Sequence, residues 1–199
     1  MTGHEKAWRM LSELNPDDVC KRAGASYNKT GSFYILKSFG MEFSINPKKE
    51  EIRPIEGHGE RLLNGLGYFI SHSFLWYLIN SKDIPVSGRL VKPENLKGGQ
   101  HFFRGTHHIP LETLTKNYET KKQAFIERGM ELGGRAINMA DASIELLPLP
   151  NVPVTLLLWI KDDEFPSRST LLFDSTIEIH LPLDIIWSVA MMSVLAMVS

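Results

Sequence analysis

Cysteine, net charge and long apolar runs are all scarce in this sequence. Cys20 is the one cysteine in 199 residues, which excludes an internal disulfide and an iron–sulfur cluster or zinc ion held by cysteines alone. The 22 basic and 23 acidic residues leave a formal net charge of −1, so the chain lacks the basic field that draws proteins to nucleic acid. We therefore expect a cytoplasmic protein with no iron–sulfur cluster and no nucleic-acid partner.

Neither end of the sequence has the pattern of a membrane segment. Charged residues recur through the first 18 positions, so we expect no signal peptide. Residues 185–199 are apolar and uncharged but fall short of the roughly 20 residues that cross a bilayer. We predict no transmembrane segment and a buried C-terminal helix, with docking of that helix on a partner or on a second copy as the alternative.

Composition and turn signals predict one domain over 1–199. Hydrophobic residues make up 43% and charged residues 23% of the chain, as in globular proteins that enclose one core. In the first part, 1–56, a helix is followed by Asn15-Pro16, which is typical of a capped second helix. Short apolar segments around Gly40 and Asn46-Pro47 then predict a small antiparallel meander.

The central part, 57–132, is predicted to be mainly helical. Leucine and aromatic residues recur at spacings of three and four over 60–81, which predicts one central helix. A second helix is predicted over 111–132, closed by Gly133-Gly134. The irregular stretch between them, 84–110, contains the sequence HFFRGTHH.

The last part, 133–199, is predicted to hold strands and the terminal helix. Strands are expected over 142–147 and 152–160, the second buried on both faces because its apolar run does not alternate. Segments 171–174 and 177–181 extend the strand set. Since regular strand–helix alternation is missing, we predict an α+β fold in which an antiparallel meander and sheet pack with about four to five helices and an apolar C-terminal helix.

No dinucleotide fingerprint, P-loop, zinc-protease or nucleophile-elbow motif is present. The sequence contains, in this order, LPxxP, the strand end at Trp159, Asp163-Glu164-Phe165-Pro166, Leu172-Phe173-Asp174 and His180-Leu181-Pro182. With these motifs the chain resembles, along its whole length, the bacterial and archaeal domain of unknown function 3786 (DUF3786). The resemblance implies a protein commonest in anaerobes and brings no activity with it. Cysteine-rich segments of some relatives have no counterpart here.

The segment HFFRGTHH is one candidate site. His101 and His107 are imidazoles that suit zinc, iron or nickel, or one axial position of a tetrapyrrole. Arg104 offers a planar fork for an anionic group, and Phe103 an apolar wall. We therefore predict cofactor binding by these four residues. The alternative is a set of solvated histidines with a surface arginine covering an aromatic cluster.

Asp174 and His180 form the second candidate site. A carboxylate and an imidazole together suit a divalent metal, with the acidic turn 162–164 nearby in sequence. The structural alternative is that Asp174 holds the backbone amides of the following turn.

Three functions therefore stay open. The first is an accessory protein of anaerobic metabolism that binds a ligand, a metal or a cofactor. The second is a metal-assisted enzyme that uses Asp and His side chains. The third is an interaction module that docks through its C-terminal helix.

Overall fold

The computed structural model describes residues 3–56 and 59–199 and confirms the α+β class. Gly57 and His58, at the start of the predicted central part, lie outside the described residues. The helices are α1 (Gly3–Glu13), α2 (Pro16–Ala23), α3 (Gly59–Leu66), α4 (Tyr68–Asn80), α5 (Gly99–Phe102), α6 (Leu111–Tyr118), α7 (Lys122–Glu131), α8 (Ile177–His180) and α9 (Leu183–Val198). The strands are β1 (Ser26–Asn28), β2 (Phe33–Ser38), β3 (Met41–Asn46), β4 (Glu51–Pro54), β5 (Leu90–Val91), β6 (Arg135–Ala136), β7 (Ala142–Leu149), β8 (Val152–Trp159) and β9 (Arg168–Asp174).

Local signals at α2 act as predicted. The Asn15 side chain accepts hydrogen bonds from the backbone amides of Asp17 at 2.9 Å and Asp18 at 3.3 Å, and Pro16 occupies the first turn, where no amide donor is needed. Gly24 ends the helix at φ 59°. The meander follows, with β1 to β4 paired antiparallel in chain order.

The second sheet positions the candidate sites. Its antiparallel strands lie in the order β5-β9-β8-β7-β6, so the short strands β5 and β6 occupy opposite edges. Side chains alternate between the faces of a sheet. Leu156 and Leu158 lie on the inner face, where Ser169, the partner of Leu158, bonds to Thr115 of α6 at 2.7 Å. Thr155 therefore lies on the opposite, outer face.

Helix α9 forms the centre of the core. It packs against α3, α4, α6 and α7, and most of its side chains are buried all round the helix. A helix with an apolar surface on every side is stable only when enclosed. The predicted buried C-terminal helix is confirmed.

Two predicted helices are interrupted. Gly67 adopts φ 47° and ψ −118°, which is left-handed backbone that breaks 60–81 into α3 and α4. The predicted helix 111–132 is broken by a turn after Tyr118. This turn lets Tyr118 and Phe125 meet edge to face in the core, with ring centroids 5.4 Å apart.

The strand predicted over 177–181 is wrong, because these residues form the single helical turn α8 and then extended backbone. Ile177 and Ile179 alternate with polar residues, as in a strand. The chain instead turns directly after β9, where the carboxylate of Asp174 accepts a hydrogen bond from the backbone amide of Thr176 at 3.0 Å. That bond ends the strand and starts α8.

Candidate functional site

Asp174 lies at the end of β9 and holds the loop that precedes β5. Its side chain is 2% exposed. Oδ1 accepts hydrogen bonds from the backbone amide of Thr176 at 3.0 Å and from its hydroxyl at 2.6 Å. It also accepts hydrogen bonds from the backbone amide of Ser87 at 3.1 Å and from its hydroxyl at 3.0 Å. Oδ2 accepts the backbone amide of Gly88 at 2.7 Å. Both oxygens are therefore engaged by protein donors.

These donors also set the charge of Asp174. Burial by itself raises the pKa of this carboxyl, but hydrogen bonds from Thr176 and Ser87 outweigh burial and hold its pKa below the ordinary value. The carboxylate is thus a stable anion that ties the loop 85–90 to the sheet. Ligation of a metal by Asp174 would compete with these bonds.

His180 is buried near the end of α8. Its Nδ1 accepts the backbone amide of Lys82 at 3.2 Å, so the ring proton resides on Nε2, for which the described residues provide no partner. Burial lowers the pKa of His180, and the nearby Asp174 opposes this effect. Among residues 3–56 and 59–199, no three His, Cys, Asp or Glu side chains are grouped so that they could hold a metal ion. A metal at Asp174 and His180 stays a prediction.

The HFFRGTHH segment folds as α5 followed by a 3-10 turn over 105–107. His107 stacks on Phe102 with ring centroids 4.2 Å apart and meets the edge of Trp187 at 5.1 Å. The indole of Trp187 donates to the carbonyl oxygen of His108 at 3.4 Å. His107 is therefore part of an aromatic cluster that fixes this segment on α9.

A cavity of about 330 Å³ separates this segment from β9. Its lining includes Phe103, His108 and Thr170. Of the four residues predicted to bind a cofactor, Phe103 alone lines it; His101 and Arg104 are exposed elsewhere on the surface. Cofactor binding by His101, Phe103, Arg104 and His107 stays a prediction.

Another cavity, of about 620 Å³, crosses the outer face of the second sheet; we call it the outer trough. Strands β7 and β8 form its floor, and the loop before β5 and the segment after β6 form its walls. It is lined by Pro85, Val86, Gly88, Leu90, Arg135, Ile137, Met139, Glu145, Leu147, Pro150, Asn151, Pro153, Thr155 and Asp174. Such a volume is in the range of small-molecule sites.

The outer trough is largely apolar and has one charged end. Val86, Met139 and Leu147 are 48%, 49% and 43% exposed. Arg135 donates from Nε to Glu145 Oε1 at 2.7 Å across the β6–β7 pair. These apolar surfaces and paired charges all face one concave space.

Thr155 is the floor residue that sequence reasoning missed. It is 1% exposed, and its hydroxyl has no hydrogen-bond partner in the described part of the chain. The signal in the sequence is one hydroxyl inside the apolar run of β8. A buried hydroxyl left without a partner costs about 1–3 kcal/mol.

These features define an α+β protein with an open, ligand-sized trough on one face of an antiparallel sheet. The chain belongs to the family described as domain of unknown function (DUF3786), whose model matches residues 15–196. No curated protein and no solved structure matches the chain. In the described residues, no helix has both the length and the apolar character needed to cross a membrane.

Proposed function

We propose that this protein is a cytoplasmic accessory protein of anaerobic metabolism that binds a small organic ligand, and that the ligand occupies the outer trough. The observation that carries the proposal is the trough itself, about 620 Å³ of concave space between exposed apolar side chains and the paired charges of Arg135 and Glu145. A concave, mostly apolar space with a few polar groups at one end is typical of small-molecule sites.

The walls indicate the character of the ligand. Val86, Met139 and Leu147 present apolar surface that water covers poorly, so a predominantly apolar body is favoured. The remaining donors of Arg135 and the second oxygen of Glu145 lie at one end. A polar head group that both donates and accepts hydrogen bonds fits that end.

Asp174 contributes to this site by holding one wall of the trough in position. Because its oxygens hold the amides of Ser87 and Gly88, the loop that forms one wall keeps a fixed position over the sheet. A pre-formed wall lowers the ordering cost of binding.

Binding of the fluorescent probe 1-anilinonaphthalene-8-sulfonate to the folded protein tests this proposal. Met139→Gln replaces an apolar side chain on the trough rim by an uncharged polar one and should weaken binding about tenfold, through the loss of one apolar contact with the probe. Met130→Gln is the matched control, since Met130 is 54% exposed on α7 and outside the trough. Equal effects of the two substitutions would refute the outer trough as the binding site.

Thr155→Val tests whether the buried hydroxyl beneath the trough is without a partner. The substitution keeps the shape of the side chain and removes the unpartnered group, so the unliganded protein should be as stable as the wild type or more stable by up to about 1 kcal/mol. Urea unfolding measures this difference. A loss of more than about 1 kcal/mol would mean that the hydroxyl already has a partner.

A further inference from the structure

A third cavity lies at the other end of β8, beneath the turn that joins β8 to β9; we call it the turn pocket. Its volume is about 410 Å³. It is lined by Asp141, Trp159, Ile160, Asp162, Phe165, Pro166 and Arg168. Two aromatic rings and two carboxylates thus share one small space.

The aromatic part of the turn pocket already holds a cation. The guanidinium carbon of Arg168 lies 4.4 Å from the centroid of the Trp159 ring, and the two residues are directly paired across β8 and β9. The negative faces of aromatic rings attract organic cations. Phe165 is 66% exposed at the same cavity, although a side chain of this size is usually buried.

The carboxylates are held in place through one oxygen each. Asp141 Oδ2 accepts the backbone amide of Ile160 at 2.9 Å. Asp162 Oδ1 accepts the amides of Glu164 at 2.9 Å and Phe165 at 2.7 Å. Each carboxylate keeps a second oxygen that is not used in these bonds.

The local charge favours a positive ligand. Asp141, Asp162, Asp163 and Glu164 are the acids at this turn, and Lys161 and Arg168 are the bases. Negative charge is therefore in excess by two. A bare metal ion is a poor fit, because no three ligating side chains in the described residues are grouped around one point.

We propose that the turn pocket binds a small organic cation, with its ammonium or guanidinium group against Trp159 and Phe165 and its charge paired with Asp141 and Asp162. The aromatic rings contact the alkyl substituents of such a cation and attract its charge. This site is separate from the outer trough, and the two proposals do not depend on each other.

The test compares choline with its neutral carbon analogue, 3,3-dimethylbutan-1-ol, by nuclear magnetic resonance titration. The signals of the Trp159 indole and the Ile160 amide report on the pocket. Choline should bind about tenfold more tightly than the alcohol, the gain expected for a cation on a partly enclosed ring. Equal binding of the two would overturn the proposal, as would no binding of choline and methylguanidinium up to about 100 mM.

Three substitutions at the turn locate the binding. Asp162→Asn keeps the oxygen that accepts the Phe165 amide and removes the charge, so choline should bind about three- to tenfold more weakly. Phe165→Ala should weaken it about as much. Asp163→Asn, on an exposed residue outside the cavity lining, should change affinity by less than about twofold. Equal losses for Asp162→Asn and Asp163→Asn would indicate a diffuse field and no site.

Arg168→Gln gives the sharpest outcome. It removes the cation that now covers Trp159, so the affinity for choline should rise about threefold or more. If Arg168 were merely a wall of the pocket, its removal would weaken binding. A weaker affinity of this variant would therefore overturn the proposal.

Discussion

Replacing Asp174 by asparagine should destabilise the protein strongly, although the two side chains have the same shape. Asparagine keeps an oxygen for Thr176 and Ser87 but places an amide group where Oδ2 accepts the Gly88 amide at 2.7 Å. Two donors then face each other. Hydrogen bonds to a charged group contribute about 1.5–3 kcal/mol each, so we expect a loss of about 2–4 kcal/mol at neutral pH.

The pH dependence of this loss identifies its cause. Hydrogen bonds outweigh burial and hold the pKa of Asp174 below its ordinary value, so its stabilising effect is present above the unfolded-state pKa, near 3.9. The effect disappears as the pH falls through the lower pKa of the folded state. The difference between Asp174→Asn and the wild type should therefore shrink below about pH 4.

Urea unfolding followed by circular dichroism at pH 7 and at pH 3 measures both quantities. Asp163→Asn is the control, because this exposed acid should change the stability by no more than about 0.5 kcal/mol. Hydrogen exchange should show faster exchange at the Ser87 and Gly88 amides in Asp174→Asn. A variant as stable as the wild type at pH 7, with protected amides, would refute the role of Asp174 as the anchor of the trough wall.

Two further predictions concern backbone fit and buried imidazoles. Gly133→Ala should lower the free energy of unfolding by more than about 2 kcal/mol, as measured in urea, since Gly133 has φ 67° and an added Cβ would lie 2.7 Å from the Cα of Gly40. Gly65→Ala is the control, because no atom lies within 4 Å of its added Cβ. It should raise the free energy of unfolding by up to about 1 kcal/mol. Burial lowers the pKa of His72; the charge of Asp184 opposes this effect and His4 reinforces it. Neutral His72 therefore contributes stability above about pH 6.5, the unfolded-state pKa, and this contribution is lost as the pH falls through the lowered pKa of the folded state. His72→Phe should therefore lose less stability than the wild type between pH 7 and pH 5, and an unchanged pH profile would contradict this assignment.

The sequence predicts those elements whose signals are local. Asn15-Pro16 specifies the start of α2 because the cap involves amides two and three residues ahead. The apolar run in β8 predicts a strand buried on both faces, and the burial of its residues confirms this. Gly67 is also a local signal, because glycine weakens a helix. Whether it ends the helix depends on its left-handed backbone conformation, which composition does not specify.

The site depends on contacts between distant parts of the chain, which explains why sequence reasoning found only one member of it. The position of Asp174 at a strand end marks it in the sequence as a candidate. Ser87 and Gly88, its partners, lie more than eighty positions away. The floor hydroxyl of Thr155 becomes notable only when walls from both edges of the sheet cover the strand, and no periodicity in β8 specifies those walls.

The two proposed sites share one strand but are physically separate. Thr155 and Trp159 are four residues apart on the same face of β8, about 13 Å at the usual rise of a strand. Leu157 lies between them on that face and is 5% exposed, so covered apolar surface divides the outer trough from the turn pocket. Met139 and Asp162 each line only one of the two cavities. Substitution at one site should therefore leave binding at the other site intact. Loss of binding at both sites from either substitution would indicate a general change in folding.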